Sequence, residues 1–175
     1  MKISPYKTTP AGMSMLELVV AMTMMATLST PTRVLLRTSQ SAWSRHQADY
    51  ARRLNAVAAA RQMVRQIRQA ASVTAISAAT DVSGTLSIER SNGDIYVWDH
   101  DNGADQVLFG QNTATDPLAD SITALSFTGY KADGTTATVA PELIYSVRCE
   151  LSYEVERPSG PATEQITTQA WLRRW

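Results

Sequence analysis

The sequence predicts an α+β fold: a long, kinked N-terminal α-helix, partly transmembrane, packed on a C-terminal antiparallel β-sheet domain. Three observations carry this. An apolar run from Leu18 to Leu28 follows a short polar leader. Apolar residues then recur at spacings of three, four and seven between Trp43 and Ala71, the periodicity of a helix. After Ser72 short alternating segments appear between turn signals. They are clearest where Tyr145, Val147, Cys149, Leu151, Tyr153 and Val155 alternate with polar residues.

The elements divide the chain into a leader over 1–12, a transmembrane segment over 13–35, an amphipathic stalk over 36–71 and a β head over 72–175. The 175 residues suffice for one ordinary domain plus an extension. Acidic and basic residues are equal in number, 16 of each, but unequally placed. From Arg33 to Arg68 there are eight arginines and one acid, Asp49; from residue 72 onward there are six basic residues and fourteen acidic ones. Such a split suits binding to anionic partners or attraction between copies of the chain. The single cysteine, Cys149, excludes an intrachain disulfide, and its alternating register reads as a buried structural thiol.

The leader, MKISPYKTTPAG, carries Lys2 and Lys7 and no acid. Counted from Met13 to Thr32, the following segment is about 30 Å long as a helix, enough to cross a bilayer core. The positive charges precede it, so the leader should stay in the cytoplasm and the remainder be exported. A secretory signal would be cut after the apolar run, but only poor small-residue sites occur near Leu28. The glycine instead precedes the run, and a lone carboxylate, Glu17, stands at its mouth. A charged, unpaired carboxylate in lipid costs on the order of a few kcal/mol. Its plain reading is an interfacial residue that reaches out to water.

Gly12-Met13-Ser14-Met15-Leu16-Glu17 resembles the processing signal of type IV prepilins and type II secretion pseudopilins, with a glutamate five residues after the glycine. The family usually has phenylalanine where this chain has Met13. The resemblance implies cleavage between Gly12 and Met13 by a membrane prepilin peptidase and N-methylation of Met13. It also implies that Glu17 pairs with the N-terminal amine of a neighbouring subunit. Partners would then be other pilin or pseudopilin subunits, the peptidase and methyltransferase, and an inner-membrane assembly platform. The location would be the inner membrane, single-pass, with the C-terminal domain in the periplasm.

Along the stalk, Pro31 predicts a kink or a locally melted turn, and Ser39-Gln40-Ser41 a further soft spot. The stripe Trp43, Tyr50, Leu54, Val57, Val64, Ile67 and Ala71 is expected to pack on the chain's own head. Alanines 56, 58, 59, 60 and 70 support the helix. The eight arginines read as a solvated basic face, with lipid phosphates or acidic neighbours as further partners. No recognition motif or aromatic interleaving supports nucleic acid.

About six strands are predicted in one antiparallel sheet. Leu86 to Ile88 and Ile95 to Trp98 flank a turn at Ser91-Asn92-Gly93-Asp94. A polar turn over 99–105 leads to Gln106–Phe109. A strand over 122–130 closes on Lys131-Ala132-Asp133-Gly134. A strand over 145–156 turns at Pro158–Pro161 into a last strand from Ile166, ending near Arg173-Arg174-Trp175. This order loosely resembles J-type minor pseudopilins and minor pilins.

Little in the head reads as chemistry. Asp99, Asp101, Asn102 and Asp105 form an oxygen-rich turn that could hold Ca²⁺, as some pseudopilins do, but EF-hand spacing fails and a polar hairpin turn is the favoured reading. His46 and His100 have no ligand-spaced partner, which disfavours zinc. No nucleophile, phosphate-loop or histidine-pair signature occurs. Tyr96, Trp98, Trp171 and Trp175 are a candidate aromatic surface or sheet covering. No cofactor is expected and no catalysis. The chain is expected to be a minor pilin or pseudopilin; the alternative is an exported binding domain, or an enzyme, on a plain signal anchor.

Overall fold

The computed structural model of the protein describes residues 14–157 and 159–173. It is α+β, with one long helix, α1 (Met15–Ile67), and nine strands. The chain divides into two compact units, with the boundary between Ser44 and Arg45. The leader, including Gly12 and Met13, and Arg174 and Trp175 at the other end lie outside the described residues, as does Pro158.

The first unit contains the initial part of α1. Here the apolar side chains are exposed, Met25 to 78% and Leu28 to 68%. The helix runs through Pro31 without interruption, so no turn melts there, and Ser39-Gln40-Ser41 is helical as well. A proline removes one ladder hydrogen bond, and the turns on either side keep theirs. Thr23, Thr27, Ser29, Thr30 and Thr32 each donate to a carbonyl three or four residues earlier. Thr38, Ser41 and Ser44 do the same. Residues of low intrinsic helix propensity thereby satisfy their polar groups within the helix.

The second unit holds the end of α1 and all the strands. Its helical face toward the core is Ala56, Ala59, Ala60, Met63 and Ile67, all buried. This corrects the expected stripe. Tyr50 and Leu54 are exposed to 68% and 54%, while Val64 and Ile67 pack inward. Three of these five side chains are alanines, so small residues mark the true face. Trp43, in the first unit, is also exposed. The helix ends at Ile67, and Ala70 and Ala71 belong to β1 (Ala70–Ile76), where the sequence pattern had continued the helix.

The expected single sheet is two. The first orders β1, β2 (Leu86–Arg90), β3 (Ile95–Asp101), β4 (Gln106–Gln111) and β5 (Asp116–Asp120) as an antiparallel meander. The second orders β7 (Ala137–Thr138), β6 (Ala124–Tyr130), β8 (Ser146–Arg157) and β9 (Gly160–Trp171). The Asn92-Gly93 turn forms as expected between β2 and β3, with Gly93 at φ 85° supplying the left-handed backbone. The β8–β9 turn is shorter than the sequence suggested, because Pro161 already pairs opposite Glu156. Pro161 and Pro117 both sit on edge strands, where a missing N–H leaves no ladder bond unmade.

A short strap ties the sheets together. Gly84 N–H donates to Leu125 O at 2.8 Å, and Leu125 N–H donates to Val82 O at 2.9 Å. A Cβ at Gly84 would stand 2.7 Å from that same carbonyl, so only glycine fits. Between the layers lie Met63 and Ile67 from the helix, Leu86, Ile88, Trp98 and Val107 from the first sheet, and Phe127, Val147, Cys149 and Leu151 from the second. Cys149 is buried, as its register predicted, and burial pushes its thiol up to about 12.

Candidate assembly site

Of the residues singled out at the N-terminus, Glu17 stands in the first turn of α1. Gly12 and Met13 lie outside the described residues, so the site begins at Ser14. Ser14 N–H donates to Glu17 Oε2 at 3.1 Å, and Glu17 N–H donates to Ser14 Oγ at 3.3 Å. The pair is a reciprocal capping box: it satisfies orphan amides that a helix start leaves open. The negative carboxylate also stands at the positive end of the helix dipole.

The capping role of Ser14 was missed in reading the sequence, although its signal is there. Ser14-Met15-Leu16-Glu17 is the S-x-x-E pattern directly before an apolar run. The cap does not exhaust the carboxylate. An ionised carboxylate offers about four acceptor positions, and Glu17 is exposed with one amide on one oxygen. Among the described residues no cation is ion-paired with it.

Beyond Glu17, α1 is long and apolar enough to cross a membrane, and it is the one candidate span among the described residues. The hydroxyls of Thr23, Thr27, Ser29, Thr30 and Thr32 are already bonded to its own carbonyls, so they need no water. This is the arrangement expected of a helix that leaves water for lipid or for a packed apolar environment.

The other singled-out residues do not assemble into a second site. Asp99 and Asp101 belong to β3, not to the turn that follows it. Asp99 Oδ1 accepts from Thr85 Oγ1 at 2.7 Å, and Asp101 Oδ1 accepts from the amides of Gly103 and Ala104 at 2.9 and 3.3 Å. Asp105 takes a left-handed backbone, φ 50°, and its carbonyl accepts from Ile122 N–H. Among the described residues no group of three or more His, Cys, Asp or Glu is placed to hold a metal ion.

His100, expected on a turn, is buried in β3 with Nε2 2.8 Å from the Ile122 carbonyl. The aromatic residues are distributed between core and surface. Trp98 is fully buried, Tyr96 stacks on Phe109 at 5.7 Å with Arg90 above its ring, and Trp171 is half exposed.

No protein-family model, no curated protein and no solved structure matches the chain. The architecture is nonetheless pilin-like: one long apolar N-terminal helix whose later part packs on antiparallel sheet.

Proposed function

We propose that the chain is a minor pilin or pseudopilin, a structural subunit of a type IV pilus or type II secretion pseudopilus rather than a catalyst. The observation that carries this is Glu17, an exposed carboxylate at the head of an exposed apolar helix that supplies no cation for it. In this reading a membrane prepilin peptidase cuts between Gly12 and Met13 and the new amine is methylated. The amine of Met13 in a neighbouring subunit then meets Glu17, a pairing that an apolar environment strengthens. The chain waits as a single-pass inner-membrane protein with its β head in the periplasm, until an assembly platform moves it into a filament.

The pilin-like architecture supports the reading. Mass spectrometry of the membrane-purified protein, co-expressed with a prepilin peptidase, tests it. The expected product lacks residues 1–12 and carries one extra methyl on Met13. An intact N-terminus, or a cut near Leu28, overturns it in favour of an ordinary anchor. Glu17→Ala is expected to leave membrane insertion unchanged and to abolish crosslinking to neighbouring subunits.

A further inference from the structure

Within the second unit, one face of α1 is left uncovered by the other described residues. Tyr50, Leu54, Val57, Arg61, Arg65 and Arg68 fall within an arc of about 80° on a helix of 3.6 residues per turn. The buried face, Ala56 to Ile67, lies roughly opposite. Tyr50 and Leu54 are exposed, as are all three arginines. Arg61, Arg65 and Arg68 line a groove of about 440 Å³ whose wall includes Val64 and Thr168, with Arg173 at its rim. Among the described residues, the guanidiniums of Arg61, Arg65 and Arg68 make no ion pair or hydrogen bond. Three like charges so close together repel one another, and an anionic partner relieves that repulsion.

The same unit carries a hollow of opposite sign. Asp105, Asp120 and Glu154 line, together with Arg52, a depression of about 390 Å³. Arg52 is already engaged, pairing with Asp49 and donating to the Glu154 carbonyl at 3.1 Å. The three carboxylates therefore outweigh it. From Arg52 to Arg65 the helix rises about 20 Å at 1.5 Å per residue, so groove and hollow lie at different levels along α1.

We infer that the exposed side chains of Arg61, Arg65 and Arg68 reach the Asp105–Asp120–Glu154 carboxylates of a second copy of this chain. The two surfaces differ in sequence and level, so the contact is heterologous and propagates from copy to copy instead of closing as a dimer. Exposed Tyr50 and Leu54 supply apolar area beside the charges, which set register and orientation. The inference deepens the filament reading by naming a head contact separate from Glu17, and it rests on that reading for its setting.

The test uses the full chain in mild detergent, with self-association followed by sedimentation. Wild type is expected to form species larger than a dimer, weakening about tenfold as salt rises through the range that screens surface charge. The triple variant R61E/R65E/R68E and the double variant D120K/E154K are each expected to associate at least about tenfold more weakly. Both change exposed positions, so circular dichroism and thermal unfolding should match wild type. Mixing the two variants should restore association, because every groove then meets a hollow of opposite sign.

Three results overturn the inference: a wild type that stays monomeric, a folded triple variant that associates normally, or a mixture that stays apart. A triple variant that associates normally but loses capture of a short DNA duplex overturns it in favour of nucleic acid. Failure here with Met13 methylated leaves the filament reading standing. Success here with an uncut N-terminus removes that reading and keeps the contact.

Discussion

Met25 and Met63 belong to the same helix and have opposite surroundings. Met25, in the first unit, is exposed to 78%, whereas Met63, in the second, is fully buried in the core. The first unit buries none of its membrane-length window, and the second wraps its helix in a core that reaches from Ala56 to Leu172. The contrast shows that apolar character alone does not assign a residue to a core. In the second unit the helix face is mostly alanine, and the large residues come from the strands. In the first unit the large apolar residues ring the helix and stand exposed, as on a helix long and apolar enough to cross a membrane.

The sharpest way to break this contrast is to truncate a large side chain on each side of it. Trp98→Ala, at the centre of the second unit, is expected to destabilise that unit by about 3–5 kcal/mol. Met25→Ala should leave thermal unfolding of the detergent-solubilised protein within about 0.5 kcal/mol of wild type. Equal effects would mean that the first unit has a core of its own.

Alkaline pH probes the same core more gently. The Cys149 thiol is raised from 9.0 to about 12, so the folded state holds it neutral where the unfolded chain ionises it. Its contribution to stability is fully present below about pH 9 and is lost as pH rises through about 12. Unfolding followed by denaturant titration between pH 8 and 11 should show this decline, and Cys149→Ser should flatten it. Rapid labelling of the native thiol at pH 8 would contradict the burial.

The smallest effect is expected at the start of α1. Ser14→Ala removes the hydroxyl that accepts the Glu17 amide and should loosen the first turn by about 1 kcal/mol. Hydrogen exchange of the amides near Glu17 reads this directly, while those of the second unit should not change. A response confined to the first turn sharpens the comparison, because it places the local stability of the first unit in its cap and not in packing.

Much of the architecture was legible before any coordinates. Period-two alternation from Tyr145 to Val155 marks β8 correctly, because strand geometry alone sends successive side chains to opposite faces. Asn92-Gly93 marks its hairpin because few residues accept a positive φ. Less visible were β5 and the buried helix face. Asp116-Pro117-Leu118-Ala119-Asp120 carries acids and a proline, tolerated because β5 is an edge strand. Ala56, Ala59 and Ala60 read as helix formers, and only the packing of the second unit makes them a core face. At the start of α1, Glu17 is conspicuous in the sequence and its cap with Ser14 less so, although both lie in one short motif.

The sequence by itself determined the order of elements and the chemistry at the helix start, since periodicity, turn residues and capping are local properties. It also placed the basic stalk apart from the acidic head. Only the tertiary structure decided that the strands divide between two sheets, and which helix face is buried. It alone brought Thr168 and Arg173 beside Arg61, Arg65 and Arg68, and Asp105, Asp120 and Glu154 to one hollow. Those outcomes depend on which distant segments meet, and alternation specifies a strand's two faces without specifying its neighbour.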